Sequence, residues 1–444
     1  MHRPTIQHRL PALSLIGAAL LAGCDASNAK SRAPTTDSSA AVTSATPAAN
    51  GEVAPAAATP AGAASAASVA PGKIADAPIV RALYVNRWAA QGSKKLRHLI
   101  AIADSTEVNA LVIDMKDEFG LNYRSSDPSI QKNAGNAGVV PNLPALLDTL
   151  KAHKILPIAR MVVFKDSVAA RVNPDETIRK ADGSAWRDKQ GLAWVDPYSP
   201  AIREYNLKVA EELVKMGFGE IQFDYIRFPE PYKSLPTQVF PKAGNVSKPQ
   251  ALADFLGQAK GRLNAAGVRL TADIFGLVTT VRGPLEIGQE WEKLSPVTDV
   301  LLPMTYPSHY PRGSYGIAAP NAEPKRIMYI AISKAHERDD KLGITAAEHV
   351  RPWIQAFTLG KPPYGPAEIT AQKQGIYDAG YDGWVLWSPG SNYDIFLPAF
   401  EKTLVSRKKP WKGSAATTAA TTAAAPAESA AATRLEAAKA PVKP

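Results

Sequence analysis

The sequence nearly lacks cysteine, and its single copy, Cys24, lies near the amino terminus. One cysteine cannot form a disulfide within the chain. Histidine is also sparse, and the copies beyond the amino terminus are scattered with no close pair at ligand spacing, so we expect no metal and no cofactor. A G-x-S-x-G elbow is absent as well, which argues against a Ser-His-Asp hydrolase.

A membrane-spanning apolar run is also missing. The apolar stretch at 10–22 follows Arg3 and Arg9 and is too short to span a bilayer, which is typical of a signal peptide. It ends in "LAGC" at 21–24, which resembles a bacterial lipobox, although an ordinary signal peptide with an accidental cysteine would look similar. The resemblance predicts a signal peptide at 1–23 and lipidation of Cys24. Such a lipoprotein would sit in the bacterial cell envelope and face the periplasm, and Asp25 resembles an inner-membrane retention signal.

Large apolar side chains are scarce at both ends of the chain. Residues 24–75 and 413–444 are dominated by Ala, Pro, Ser and Thr. Such segments bury too little apolar surface to offset the entropy of ordering, so we expect a disordered tether and a disordered tail. The folded domain is expected over 79–404.

An excess of positive charge in the folded part is lacking too. The formal net charge is +10, of which +2 lies at 1–24, −1 at 25–78 and +5 at 405–444. Only +4 remains over the expected domain, which argues against a nucleic-acid partner.

The middle of the chain alternates short β-branched runs with longer helical patterns, which is typical of parallel βα units. Eight such strands predict a single (β/α)8 TIM barrel. The competing architecture, an open doubly wound sheet, would call for a glycine-rich phosphate loop after a strand, and none is present. The predicted strands are 80–88, 110–116, 156–163, 220–226, 269–275, 299–306, 350–357 and 383–388.

Polar and aromatic residues near the carboxyl ends of these strands are the candidate site, because barrel enzymes place their chemistry there. Glycoside hydrolysis needs two carboxyl groups, one of them protonated, and aromatic rings suit the apolar faces of sugars. The candidate catalytic residues are Asp224, Asp273 and Asp114. The candidate substrate-binding residues are Lys116, Arg227, Tyr306, His309, Trp387, Asn86 and Trp88.

Several of these candidates also have another interpretation. Asp114 and Lys116, two apart on one strand and therefore expected on one face, could form an ion pair. Trp387 could belong to the core, and Arg227 could pair with a catalytic carboxylate. For Asp224 the functional interpretation is favoured, because it interrupts the apolar strand "EIQFDYI".

Four segments resemble the DUF4015 family of glycoside hydrolases: "VIDMKDEFG", "GEIQFDYIRFP" with the helix before it, "ADIFG" and "LSPVTDVLLPMTYPSHY". The resemblance covers roughly 79–400 and implies a barrel glycosidase of the bacterial envelope. It matches Asp224 to the catalytic Asp that related barrels carry on strand four. Asp273 matches the acid position on strand five, where many such families have Glu.

The predicted function is hydrolysis of an envelope or extracellular polysaccharide by carboxylate acid/base chemistry. Asp224 would be the nucleophile or base, Asp273 the acid and Asp114 its alternate, while Lys116, Arg227 and Tyr306 would orient the substrate or tune the carboxylates. The expected partners are a carbohydrate and, through the lipid anchor, a membrane. The alternatives are a non-catalytic glycan-binding lipoprotein and a scaffold that recruits proteins through its tether and tail.

Overall fold

The computed structural model describes residues 78–411 and residue 413. Cys24, the predicted signal peptide, the predicted tether and all but the first residue of the predicted tail lie outside the described residues. Within the described part of the chain, no helix is long and apolar enough to cross a membrane.

Nine strands form one sheet in the described residues, and eight of them run parallel. The first strand pairs with both its neighbours, β2 and β9, which closes the eight parallel strands into a barrel. This closure confirms the predicted TIM barrel and excludes the open doubly wound sheet. The strands are β1 (Arg81–Val85), β2 (Ala110–Asp117), the short antiparallel β3 (Gly120–Leu121), β4 (Leu156–Val162), β5 (Glu220–Asp224), β6 (Arg269–Phe275), β7 (Val300–Met304), β8 (Trp353–Gln355) and β9 (Trp384–Trp387).

Helices connect the strands around the outside of the barrel. After β9 a short 3-10 helix, Asp394–Ala399, stands where the eighth helix of the barrel would come. The α-helices of the described residues are α1 (Arg87–Gln91), α2 (Ser93–Ser105), α3 (Pro128–Gln131), α4 (Leu143–Ala152), α5 (Ser167–Val172), α6 (Pro200–Met216), α7 (Lys248–Ala265), α8 (Trp291–Leu294), α9 (Pro324–Leu342) and α10 (Pro366–Asp378).

Helix α6 shows how the local sequence sets these boundaries. The Ser199 hydroxyl accepts a hydrogen bond from the Ile202 N–H at 3.1 Å, and Pro200 occupies the first turn, where no N–H is needed. Gly217 ends the helix with a left-handed φ of 113°, a conformation that glycine adopts without a steric penalty. Ser and Gly are the residue types that these two cap positions favour, and the helix delivers the chain directly to β5.

Alternation along the strands separates two cores. Outward side chains such as Leu83, Ile113 and Phe223 pack under the helices. Inward ones such as Val112 and Leu302 fill the barrel. This period of two decides which polar side chains enter the interior.

The segment 401–411 covers the end of the barrel where the strands begin. The Val405 carbonyl accepts from the Arg81 guanidinium at 2.9 Å, and Ser406 donates to Asp382 at 2.6 Å. Trp411 stacks on the His336 ring at 4.2 Å. The ordered chain therefore continues beyond residue 404, and the site must lie at the opposite end.

Candidate active site

Strand β5 brings Asp224 into the barrel. Its neighbour Phe223 points outward and stacks on Phe255 of α7, with ring centroids 5.6 Å apart. Gln222 and Asp224, on the other face, point inward, as the alternation predicts. Asp224 is the last residue of the strand and only 6% exposed, so its carboxylate lies at the carboxyl end of the barrel with little contact with solvent.

Arg160 of β4 is the centre of the site. Its guanidinium donates to Asp224 from Nε at 3.1 Å and also from Nη2, and it donates from Nη1 to Asp114 of β2. The Nε atom lies 3.8 Å from Oδ2 of Asp273. The three aspartates predicted from the sequence are therefore brought together, on three different strands, by one arginine that the sequence analysis did not single out.

Asp273 of β6 is the most enclosed of the three, with 1% of its surface exposed. Its Oδ1 accepts from the Trp353 indole at 2.7 Å and from the Gln222 amide at 2.9 Å. Burial raises the pKa of this carboxyl well above its usual value, and the negative charge of Asp224 raises it further. Both effects favour the protonated form of the Asp273 carboxyl.

Asp114 accepts a hydrogen bond from the Tyr84 hydroxyl at 2.5 Å. Burial raises the pKa of the Asp114 carboxyl to about 6, although the Arg160 charge opposes the shift. Tyr84 also stacks on Trp387 at 4.0 Å, and both rings lie 5.5 Å from the Arg160 guanidinium. Trp387, predicted as a sugar platform, therefore also forms part of the wall that holds the arginine.

The cluster carries more negative than positive groups. Three buried carboxyls face one guanidinium. If all three were ionised, two negative charges would be buried without a counter-charge, at a large cost in free energy. The raised pKa values of Asp114 and Asp273 favour retention of a proton, which belongs to the cluster as a whole rather than to one residue. A carboxylate beside a protonated carboxyl is the combination that general acid–base chemistry requires.

The chain is strained directly after Asp224. Tyr225 has a φ of 49°, in the left-handed region that a bulky residue rarely adopts. The conformation places its N–H 2.5 Å from Oδ1 of Asp224. With Arg160 on Oδ2, both oxygens of Asp224 are held in place. Strain of this kind is found preferentially at functional sites.

The prediction that Lys116 shares a face with Asp114 is wrong. The register of β2 against β4 shifts between these two residues, because a β-bulge lies there, and Lys116 turns to the outer side of the barrel. It is fully buried and forms an ion pair with Asp166 at 2.7 Å. Its ammonium group also lies 5.4 Å from the Tyr205 ring centroid. Lys116 is therefore placed to brace a helix, away from the carboxylates.

Two further candidates have other partners than expected. Arg227 forms an ion pair with Glu230 at 3.0 Å and not with a candidate catalytic carboxylate. The cation that pairs with those carboxylates is Arg160. The Asn86 side chain caps α1 by accepting from the Ala89 N–H, and it donates to the Pro389 carbonyl, both at 2.8 Å. The predicted contact of Arg227 with the carboxylates is wrong, and the hydrogen bonds of Asn86 hold the backbone at the end of β1.

The remaining candidates lie around the mouth. Tyr306 is buried beside the cluster, close enough that the charges of Asp273 and Asp224 raise its pKa, after burial itself. The ring of His309 is exposed and meets the Tyr306 ring edge-on at 5.3 Å. Trp88 is 59% exposed in α1, directly after β1. These positions agree with a substrate-binding surface at this end of the barrel.

In residues 78–411 and 413 there is no group of three or more His, Cys, Asp and Glu side chains that could hold a metal ion. The carboxylates of the cluster instead use Arg160 and neutral donors as partners.

A closed (β/α)8 barrel with clustered carboxyls at the carboxyl ends of its strands is an architecture suited to glycoside hydrolysis. The chain belongs to the DUF4015 family, described as "Putative glycosyl hydrolase domain", whose profile matches residues 82–393. The resemblance stated from the sequence motifs is thereby confirmed. No curated protein matches the chain.

Solved structures resemble the barrel. The glycoside hydrolase domain of PgaB (BpsB) from Bordetella bronchiseptica aligns with a TM-score of 0.53 at 15% identity, over 74% of this chain and 100% of that domain. At this identity the likeness concerns the fold alone. A hypothetical protein from Ruminiclostridium thermocellum is 35% identical over 43% of this chain and 96% of its own, with a TM-score of 0.39.

Proposed function

We propose that the protein is a glycoside hydrolase that cleaves an envelope or extracellular polysaccharide with its own carboxyl groups. The observation that carries the proposal is the cluster itself, in which Asp114, Asp224 and Asp273 converge on Arg160 at the carboxyl end of the barrel. Membership of the DUF4015 family supports the same class of reaction.

Asp224 is proposed as the nucleophile or base. Arg160 neutralises its charge, and two hydrogen-bonding partners fix its oxygens, so the group is oriented before substrate arrives. Asp273 is the proposed acid because its raised pKa keeps it protonated. Asp114 is the alternate, with a pKa of about 6 that lets it give and recover a proton near neutral pH.

The spacing of the two principal carboxyls bears on the stereochemistry. Oδ2 of Asp224 and Oδ2 of Asp273 lie 3.1 Å and 3.8 Å from the same Arg160 nitrogen, so these oxygens are less than ~7 Å apart. That limit admits the ~5–5.5 Å of retaining enzymes and leaves only the lower edge of the ~6.5–9.5 Å range of inverting ones. The limit concerns one pair of oxygens, and it is compatible with a retaining mechanism, in which Asp224 is a nucleophile.

The proposed location comes from the sequence. The lipobox-like "LAGC" at 21–24 supports lipidation of Cys24, and the Ala/Pro/Ser/Thr composition of 24–75 supports a long tether. Such an anchor would present the barrel to glycans on the periplasmic side of a bacterial membrane.

One observation favours a second function, binding of a glycan without cleavage. Asp273 is almost fully enclosed and its Oδ1 already accepts two hydrogen bonds, so its proton would have to pass through the cluster to reach a substrate. A barrel that only binds would keep the charged cluster for hydrogen bonds to sugar hydroxyls.

The test is hydrolysis by the full chain and by Asp224→Asn. Both are incubated with peptidoglycan and with a panel of exopolysaccharides, and new reducing ends and product masses are measured. We expect products from the wild-type chain and a loss of about 1,000-fold or more in Asp224→Asn, because the reacting group is removed. The matched control is Asp254→Asn, an exposed residue of α7, which should keep full activity.

Two results would contradict the proposal. An Asp224→Asn variant as fast as wild type would show that this carboxylate does not react. Saturable binding of a polymer by a wild-type chain that releases no product would support the binding function instead.

A further inference from the structure

Two aromatic side chains stand out because they are exposed. Trp88 is 59% and Phe119 is 47% exposed, whereas every other Trp, Phe and Tyr in the described part of the chain is less exposed than these two. Single exposed apolar residues are ordinary, but two large rings side by side indicate a contact surface.

The two rings belong to the same end of the barrel as the carboxylates. Trp88 lies in α1, directly after β1, and Phe119 lies in the turn between β2 and β3. Their ring centroids are 6.3 Å apart and the planes are tilted by 48°. The rings are close but do not stack face to face, and each residue keeps a large exposed fraction that can meet a flat apolar surface.

The backbone under both rings is tightly held. The Arg87 guanidinium, next to Trp88, donates to both oxygens of Asp117 at 2.7 and 2.9 Å, and Asp117 accepts from the Phe119 N–H at 2.9 Å. Gly120 follows with a φ of 102°, and a Cβ there would lie 2.1 Å from the Ala134 carbonyl oxygen. A ligand that docks on this turn would have little backbone to order, which lowers the cost of binding.

Glu118 connects this surface with the carboxylate cluster. It lies between Asp117 and Phe119, and its main-chain carbonyl accepts from the Ser167 hydroxyl at 3.0 Å. Its side chain is half-buried and close enough to Tyr225, the neighbour of Asp224, to contribute to the raised pKa of that phenol, after burial and the Asp224 charge. Within residues 78–411 and 413, no hydrogen bond or ion pair engages the Glu118 carboxylate.

We propose that Trp88, Phe119 and Glu118 form a sugar-binding subsite on the rim of the barrel, beside the reaction centre. The rings would take the apolar face of one sugar, and the carboxylate would accept hydrogen bonds from its hydroxyls. The proposal rests on the proposed function only for the class of ligand, a carbohydrate chain that extends from the carboxylates toward β1 and β2.

The size of the surface favours a sugar over a protein partner. A stable protein interface buries roughly 800 Å² on each side, far more than two rings and one carboxylate provide. A single pyranose ring matches this area, and it combines an apolar face with an edge of hydroxyl groups. The subsite would therefore select for a polymer that is long enough to reach it.

Binding is measured apart from catalysis, in the full chain with Asp224→Asn. This variant is run in native gels that contain hydroxyethyl cellulose, glycol chitin, peptidoglycan fragments or alginate, and the dissociation constant is taken from the retardation. We expect retardation by at least one polymer, and a weakening of about tenfold when Phe119→Ala or Trp88→Ala is added, which corresponds to ~1.4 kcal/mol. Glu118→Gln should weaken binding less, because the amide retains one acceptor oxygen.

The matched control is Leu342→Ala, which removes an exposed apolar side chain at the end of α9, far along the chain from the rim. It should leave the retardation unchanged. Equal retardation with and without the two rings would overturn the subsite, and so would the absence of retardation by every polymer. Ring-dependent retardation, together with a wild-type chain that releases no product from the same polymer, would instead keep the subsite and refute the proposed hydrolysis.

Discussion

Replacement of Arg160 by methionine should destabilise the protein in a way that depends on pH. The guanidinium is 5% exposed and contacts Asp114 and Asp224 directly, with Asp273 at 3.8 Å. Methionine fills much of the same space but carries no charge, so the carboxyls lose their common cation. Removing one partner of a buried ion pair costs about 3–5 kcal/mol, and we expect a loss of this size in the free energy of unfolding at pH 7 to 8.

The pH dependence follows from the effect of Arg160 on its neighbours. Its positive charge lowers the pKa of Asp114 and of Asp273 in the folded protein. Without it, the folded-state pKa values rise further above the unfolded value. A group whose folded-state pKa is raised loses its contribution to stability as the pH rises through that pKa. The Arg160→Met substitution should therefore lower the free energy of unfolding less at pH 5 than at pH 8. One extra bound proton over these three pH units amounts to up to ~4 kcal/mol.

The assay is urea unfolding of both proteins at pH 5, 6.5 and 8. The control is Arg262→Met, whose exposed pairs with Glu204 and Glu211 should contribute no more than ~1 kcal/mol and show no comparable trend. A double variant with Asp224→Asn should recover part of the loss, because one of the stranded charges is gone. An Arg160→Met deficit that is the same at pH 5 and pH 8 would refute the reasoning.

Two further predictions concern other parts of the chain. Asp339 accepts hydrogen bonds from Trp291 at 2.8 Å and Ser295 at 2.6 Å, and burial raises its pKa to about 7. The stability that a carboxyl with a raised folded-state pKa contributes is lost as the pH rises. In urea unfolding, the free energy of unfolding of Asp339→Asn should therefore increase by up to ~4 kcal/mol relative to that of wild type between pH 4 and pH 8. A difference between the two proteins that stays constant over this range would contradict the prediction. Cys24→Ser should abolish labelling with radioactive fatty acid and shift the chain from the detergent to the aqueous phase of Triton X-114, whereas unchanged labelling would refute lipidation.

The barrel could be predicted because its signals are local and repeat along the chain. Seven of the eight predicted strands contain the observed one, and β2 extends one residue beyond its predicted end, to Asp117, whereas the short β3 was not predicted. Strands such as β8, Trp353–Gln355, are shorter than the predicted segments that contain them. The ends of α6 were predictable as well, since Ser199 and Gly217 have side-chain and backbone properties that fix a cap wherever the helix packs.

The inner faces of the strands were predictable only where the alternation is regular. It places Asp224 and Asp273 correctly, since β5 and β6 run without interruption from their first apolar residue. In β2 a bulge after Asp114 turns the Lys116 side chain from the inner to the outer face of the barrel. Nothing in "VIDMKDEFG" marks the position of the extra residue. A pattern with a period of two loses its predictive value at the first irregularity.

Arg160 could have been found by the reasoning that was applied to Asp224. It too interrupts an apolar strand, in "LPIARMVV", and a buried guanidinium is as costly as a buried carboxylate. What the sequence does not provide is the pairing, because the three carboxylates on β2, β5 and β6 meet Arg160 of β4 only when these strands lie side by side in the sheet. A charged residue in a predicted barrel strand therefore calls for a search for its counter-charges on every other strand.

Charged side chains lie at two levels of the barrel interior, one near the beginning of the strands and one near their carboxyl ends. The difference between these two levels is the best physical argument for the candidate active site. Near the beginning of the strands the Glu220 carboxylate pairs with the Arg351 guanidinium at 2.6 Å, and both side chains are buried. At the other end three carboxyls share Arg160. A matched pair meets the cost of burying charge, whereas an unmatched cluster raises that cost and must hold a proton in reserve. Stability alone would favour the matched arrangement at both ends, so the excess of carboxyls at the open end is best explained by chemistry.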